Sequence, residues 1–483
     1  MTNSEQVWPL VEAKKDYFIA LSDHVWGTPE LLYAEFRSVS EHIAALDHEG
    51  FRLTRDVAGL PTAVMGEAGF GGPVVAILGE FDALAGLSQE AGLAERRPIE
   101  PGGSGHGCGH NMLGSAALLA ATAVKDWLQR SGTPGRVRYY GCPAEEGGSA
   151  KTYMVRAGVF DDVDAAVTWH PGGTTRVDTL PYLANSTMDF HFVGRAAHAS
   201  SSAHLGRSAL DAVELMSVGV NYMREHMPSH ARIHYAILDG GGPAANVVQA
   251  RAAVRYVVRG RDNPEVAELS ARVRKIAEAA AMMSETEVSW KVISGCSNLL
   301  SNEPLQKAMA RHYQHLGPVP FDDADRAFAA EMQRTLDPKD IWTDYARVGM
   351  KVKPNTPLCD FIVPNEARGE PVMGSTDVGD VSWKVPTVQA RVATHAIGTP
   401  AHTWQIVAQG KAGAAHKGLV YAAKVMAATA IDVLTDADLR LAAKKDHLAS
   451  TGGRYDCPIP DDIQPAVKPW PAACSCTAGD RPK

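Results

Sequence analysis

The run Val74-Val75-Ala76-Ile77-Leu78-Gly79-Glu80-Phe81-Asp82 decides the architecture. Five consecutive apolar residues read as a strand buried on both faces, and a carboxylate, Asp82, stands just past its end. The arrangement recurs. Residues 137–140 read as a second buried strand that leads to Glu145 and Glu146, and residues 165–169 as a third that leads to His170. Helix-like apolar stretches such as 113–128 separate these runs, which predicts alternating strands and helices in an α/β fold. In open α/β sheets, chemistry collects outside the carboxyl ends of the strands. Asp82, the pair Cys108 and His110, the pair Glu145 and Glu146, and His170 are therefore expected to meet in one crevice, and such a donor set points to a metal-dependent hydrolase.

Length and composition bound the reading further. At roughly 100 to 200 residues per domain, the 483 residues suggest two or three units. Apolar and charged fractions of 45% and 21% are those of a globular protein, and a formal net charge of −8 offers no basic footprint for nucleic acid. The first residues include Glu5, Glu12, Lys14, Lys15 and Asp16 and lack the apolar core of a signal peptide. No membrane span is expected, and a cytoplasmic location follows. The odd count of seven cysteines argues for reduced thiols. Cys142, Cys296, Cys359 and Cys457 read as small buried hydrophobes, while Cys474 and Cys476 form a CxC pair in a tail rich in Pro, Ala and Gly.

Between residues 186 and 293 the pattern changes. Met188, Phe190 and Phe192 alternate with polar residues, as in a half-buried strand, and Ala209, Val213, Met216, Val220 and Met223 mark one helix face. Strands over 232–238 and 250–258 follow, joined through Gly240, Gly241, Gly242 and Pro243. Asn263 and Pro264 then predict an N-cap and first-turn proline for a helix with Val266, Leu269, Val273 and Ile276 inward, and residues 288–292 close the unit. The order is βαββαβ, a ferredoxin-like split unit. Residues 304–316 resume helical patterning, 318–374 read as an irregular surface elaboration, and a long Ala-rich helix over 403–434 ends the core. The expected organisation is a discontinuous α/β domain of residues 1–185 and 300–450, an inserted unit of 186–299, and a C-terminal tail of 451–483.

The chemistry sits on constrained turns. Gly105-His106-Gly107-Cys108-Gly109-His110 leads directly into a helix, which leaves Cys108 and His110 little freedom to point elsewhere. Alone, a CxH pair also fits a loop with a buried Cys and a solvated His. In Pro143-Ala144-Glu145-Glu146-Gly147-Gly148, two adjacent carboxylates on a tight turn point in opposite directions, so that one can ligate while the other acts on water.

These turns, with Ala196-Ala197-His198-Ala199, resemble the signatures of the M20 metallopeptidase and amidohydrolase family, in its cysteine-containing, aminoacylase-like branch. Gly79 to Leu84, Thr168-Trp169-His170-Pro171 and Gly398-Thr399-Pro400-Ala401-His402-Thr403-Trp404 extend the match over nearly the whole chain, most weakly between 318 and 369 and in the tail. The resemblance implies a zinc-peptidase-like catalytic domain with the βαββαβ unit inserted as a dimerisation lid. It implies Cys108, His110, Glu146, His170 and His402 as metal ligands, with the thiolate bridging two divalent ions, manganese or zinc. By the same resemblance Glu145 is the general base and Asp82 orients a ligand. His198 supports the oxyanion in the partner subunit's site, Asn246 is a neighbouring polar contact, and Arg259 clamps a substrate carboxylate. Asn111 and Glu80 depart from the family's usual Asp. His395, seven residues before His402, lacks the motif context and reads as structural, as do His106, His204 and His416.

The activity so implied is hydrolysis of the amide of an N-acyl or N-aroyl amino acid, with p-aminobenzoyl-glutamate as the leading substrate and a dipeptide or another N-acyl conjugate as the alternative. The implied assembly is a homodimer, or a heteromer with a related A-type subunit.

Overall fold

The computed structural model describes residues 3–365, 369 and 373–471. The chain begins with helices α1 (Asn3–Trp26) and α2 (Phe36–His48), then strands β1 (Arg52–Arg55), β2 (Val64–Phe70) and β3 (Val74–Glu80). Helix α3 (His110–Ser131), β4 (Gly135–Cys142), α4 (Ala150–Arg156), β5 (Ala165–Gly172) and β6 (Arg176–Val177) complete the first segment. The second comprises β7 (Ala184–Val193), α5 (Ala209–Met223), β8 (Arg232–Asp239), β9 (Arg251–Gly260), α6 (Asn263–Ser284) and β10 (Glu287–Cys296). The third runs through α7 (Glu303–Leu316), α8 (Asp323–Gln333), α9 (Pro338–Arg347), α10 (Val378–Lys384), β11 (Thr387–Ala393), α11 (Trp404–Gln409), α12 (Gly413–Thr435) and α13 (Ala437–Thr451).

The first and third segments share a seven-stranded sheet in the order β1-β2-β4-β3-β5-β11-β6. Strands β4, β3, β5 and β11 are parallel, so their carboxyl ends open on one edge. Every residue of β3 is buried, as a strand covered on both faces requires. Helices α1, α3 and α12 pack together over the sheet and form the main core. Asp82 follows β3, Glu145 and Glu146 follow β4, and His170 lies near the end of β5. Topology alone thus brings together residues that are far apart in sequence.

The second segment forms a separate antiparallel sheet, β10-β7-β9-β8. Helices α5 and α6 cover one face, burying Met188, Phe190, Phe192, Val213, Met216 and Val273 in a core of their own. The element order is βαββαβ, inserted between β6 and α7.

Three local expectations need correction. The N-cap of α6 is Asp262, whose side chain accepts from the Glu265 N–H at 3.0 Å, so Asn263 and Pro264 are already helical. The 318–374 stretch is not wholly irregular, because it holds α8 and α9. Each starts with an aspartate pair in a capping box, Asp322 with Asp325 and Asp337 with Asp340. The Ala-rich helix expected over 403–434 is two helices, α11 and α12, separated at residues 410–412. Helix α12 is long and apolar enough to span a membrane by length and composition, yet most of it is buried inside the fold, which makes it a core helix. The cysteines at 108, 142, 296, 359 and 457 are all free, and the Cys474/Cys476 pair lies outside the described residues.

Candidate metal centre

Four loops build the centre, and their backbones lock to one another. Gly109 precedes α3 with φ +81°, in the left-handed region, and a Cβ there would lie 3.1 Å from Pro171 Cγ. This lets the 105–110 turn press against the end of β5. The His402 N–H donates to the Gly107 carbonyl at 2.9 Å, joining the loop after β11 to the same turn. His402 itself has φ +60°, an uncommon conformation for a non-glycine residue. The acidic turn is equally tight. Ala144 and Ser149 have positive φ, and buried Glu35 accepts from the Ala144 N–H at 3.0 Å.

The five residues expected as ligands converge. Cys108, His110 and His170 present donor atoms within 4.8 Å of one another, and so do Cys108, Glu146 and His402. Cys108 belongs to both triads, which suits a thiolate placed between two cations. Its Sγ lies 3.3 Å from His170 Nε2, and His402 Nε2 lies 3.3 Å from Glu146 Oε1. Two buried atoms of the cluster, His110 Nε2 and Glu146 Oε1, have no hydrogen-bond partner among the described residues. Buried polar atoms rarely stay unpaired, so these donors fit a cation, and thiolate, imidazole and carboxylate together fit zinc or manganese.

Asp82 stands behind this cluster. Its Oδ1 lies 2.8 Å from His110 Nδ1, which leaves Nε2 to face the donor set, and its Oδ2 accepts from the Glu146 N–H at 2.8 Å. One carboxylate therefore aims an imidazole and fixes the acidic turn. Desolvation opposes its charge, but His110 and these hydrogen bonds hold its carboxyl below the usual range. Glu145 sits at the cavity wall. Burial, then the charges of Glu80, Glu146 and Asp377, raise it well above an ordinary glutamate. The nearby Cys108 thiol and Glu146 carboxylate raise His402 to about 10.

Cys108, Glu145, Glu146, His170 and His402 line a cavity of about 640 Å³ together with Arg259, whose Nη1 donates to Ser375 Oγ at 2.7 Å. Burial lowers the Arg259 guanidinium, and Ser375 Oγ is the hydrogen-bond acceptor of its side chain among the described residues. His198 and Asn246 are placed elsewhere. Both are exposed on the inserted unit, where His198 pairs in a short antiparallel bridge with Val247, and neither lines this cavity. His198 Nδ1 accepts from the Ser200 and Ser201 N–H groups, each at 3.2 Å. His395 is buried beside Thr394 and stays outside the donor clusters, as do His106, His204 and His416.

Sequence reasoning missed several groups here. Glu80 Oε2 comes within 3.2 Å of His110 Nε2, and Glu80, His110 and Glu145 form a third group of potential ligands. Lys151, fully buried, pairs with Glu80 at 2.7 Å and with Asp377 at 2.6 Å. Arg391 lies 3.1 Å from His170 Nδ1. Only the Asp-to-Glu departure at Glu80 was a usable signal, since a longer side chain reaches farther from the same strand end.

Comparisons with known proteins place the chain in a family. The model of Peptidase family M20/M25/M40 matches residues 76–339. The chain is 45% identical over 467 residues to the B subunit of p-aminobenzoyl-glutamate hydrolase from Escherichia coli K12, covering 94% of this chain and 97% of that protein. Among solved structures, an aminobenzoyl-glutamate utilization protein from Klebsiella pneumoniae aligns with TM-score 0.59 at 18% identity, covering 89% of this chain and 99% of that one. A dinuclear metal-binding M20 peptidase from Bacillus subtilis aligns with TM-score 0.56 at 18% identity, covering 88% and 99%. With the family model spanning more than half of the chain and a relative matched almost end to end, the protein belongs to Peptidase family M20/M25/M40 and is a hydrolase of that family.

Proposed function

We propose that this chain is a dinuclear metal-dependent amidohydrolase that cleaves the amide of an N-acyl or N-aroyl amino acid, p-aminobenzoyl-glutamate first among them, releasing a carboxylic acid and the free amino acid. The observation that carries the reading is the pair of donor triads sharing Cys108, with the carboxyl of Glu145 beside them. Cys108, His110, Glu146, His170 and His402 would hold two divalent ions, manganese or zinc. Such ions, when bound, lower the pKa of water and polarise the amide carbonyl.

The protein's own groups supply the rest. Glu145 takes the proton of the attacking water and returns it to the leaving amine. Asp82 keeps His110 and the acidic turn in place. Arg259, a half-buried fork held by Ser375, receives the carboxylate of the amino acid. His198 and Asn246, exposed on the inserted unit and outside the cavity of their own chain, act in the site of a partner protomer, where His198 donates to the developing oxyanion. The inserted unit is then the dimerisation lid, and the protein is a homodimer.

Two alternatives rest on the names of relatives. One is dipeptide hydrolysis, since a Xaa-Arg dipeptidase of Mus musculus is 28% identical over 86% of the chain. The other is assembly with an A-type subunit, since the A subunit of the E. coli hydrolase matches 48% of the chain at 29% identity. One experiment separates all three: the chain, purified alone and loaded with manganese or zinc, is given a panel of dipeptides and N-acyl amino acids including p-aminobenzoyl-glutamate. Glutamate release from that conjugate by the homomer is expected. Turnover of dipeptides alone, or turnover only after an A-type subunit is added, would replace this reading with the corresponding alternative.

A further inference from the structure

The cavity holds more positive charge than one substrate carboxylate uses. Arg176, on β6, lines it alongside Arg259, and its side chain is 11% exposed. Its Nη1 donates to Asp178 Oδ1 at 2.7 Å. Asp178 is shared, because Arg391 Nε donates to its Oδ2 at 3.0 Å, where Tyr182 and Gln389 also donate. Two guanidinium groups therefore divide one carboxylate.

The two arginines differ in how far they are satisfied. Arg391 Nη1 donates to the Pro171 carbonyl at 3.1 Å and its Nη2 to Tyr182 Oη at 2.5 Å, so its fork is occupied. The Nε of Arg176 is buried and has no hydrogen-bond partner among the described residues. Its bond to Asp178 runs through Nη1 alone. The other carboxyl at this wall, Asp344, does not restore the balance. Its Oδ2 accepts from the Gly398 N–H at 3.0 Å, and burial holds it toward its neutral form despite nearby Arg347, Arg176 and Arg391. A guanidinium with unused donors facing a cavity is suited to a planar anion.

We propose that Arg176 binds a second carboxylate of the substrate, so that the site selects dianionic N-acyl amino acids, with Arg259 holding the α-carboxylate and Arg176 the other. This rests on the amidohydrolase reading above and adds a specificity residue on the catalytic sheet. The second carboxylate can come from the side chain of a dicarboxylic amino acid or from the acyl group. The chemistry recognised is the same.

The test uses the full-length, metal-loaded enzyme. Specificity constants are measured for p-aminobenzoyl-glutamate against p-aminobenzoyl-glutamine, and for 4-carboxybenzoyl-glutamine against benzoyl-glutamine, with wild type, Arg176→Gln and Arg176→Lys. In Arg176→Gln the preference for the extra carboxylate should fall by at least about tenfold, through KM, while the substrates lacking it change little. Arg176→Lys should restore part of the preference. Loss confined to the first pair identifies the amino acid as the source, and loss confined to the second identifies the acyl group. An equal fall for all four substrates, or an unchanged preference in both pairs, would overturn the proposal and leave Arg176 as a support for Asp178. Calorimetric binding of the same four ligands to Glu145→Gln and to the Glu145→Gln, Arg176→Gln double variant separates this from the reaction itself. If wild type turned over none of them, binding discrimination that depends on Arg176 would still stand, and the amidohydrolase reading alone would fall.

Discussion

The two sheets of this protein treat their polar residues in opposite ways. In the seven-stranded sheet, β3 is covered on both faces, and the loops after β3, β4 and β11 and the end of β5 hold Asp82, Glu146, His402 and His170 by short internal contacts. In the four-stranded sheet, helices cover one face only. Most of edge strand β8 is exposed, Tyr235 and Ile237 are 40% and 53% exposed, and His198 and Asn246 stand on the surface. Desolvation explains the contrast. Charges and unpaired donors at a cation site gain strength where water is excluded, whereas residues proposed to reach another protomer's site must be left uncovered by their own. The first region gathers its groups within one chain, and the second leaves His198 and Asn246 uncovered, as the proposed contact between protomers requires.

Four substitutions would break or sharpen that division. The largest effect is expected for Glu145→Gln, which should lower turnover by about 10²- to 10⁴-fold, the range of a lost general base, while elemental analysis still finds both ions. Loss of the ions in this variant would exchange the roles of Glu145 and Glu146. His198→Ala should cost about 10²- to 10³-fold, as for an oxyanion donor. Activity should return when this variant is mixed with Glu145→Ala under conditions that exchange protomers. Demonstrated exchange without recovery would make the division within one chain the wrong description.

Smaller effects come from supporting residues. Asp82→Asn keeps the shape of the side chain but removes the charge that aims His110, and it should weaken metal affinity by about 10- to 100-fold, read by competition with a chelator. An unchanged affinity would mean that the tight loop backbone alone orients the imidazole. Smallest is Asp262→Ala, which removes the N-cap of α6 and should cost about 1 kcal/mol in urea unfolding of the inserted unit, with metal content untouched. A fall in metal content would show that the two sheets are energetically one body.

Much of this was legible in the sequence because burial leaves a periodic trace. Apolar runs mark β3 and β5, a largely buried stretch interrupted by Arg136 and Arg138 marks β4, alternation marks β7, and steps of three and four mark α5, so the α/β class and the βαββαβ order follow from local patterns. Glycine turns at 105–110 and 143–148 predict the positions of the donor residues for the same reason, since few other residues tolerate that backbone. Helices α8 and α9 escaped because their caps use aspartate at the third position in place of Glu or Gln, amid charged sequence with few apolar repeats.

What the sequence by itself determined is therefore the set of local choices: the strands, the turns, the donor residues and the insertion. Only the tertiary structure decided which groups face one another across those elements. Lys151 lies buried between Glu80 and Asp377, Arg391 and Arg176 share Asp178, Glu80 reaches His110, and His198 is held outside its own chain's cavity. None of these pairings has a sequence period. They depend on distances between strand ends and on water excluded by residues from several segments, and those arise only once the sheets have packed.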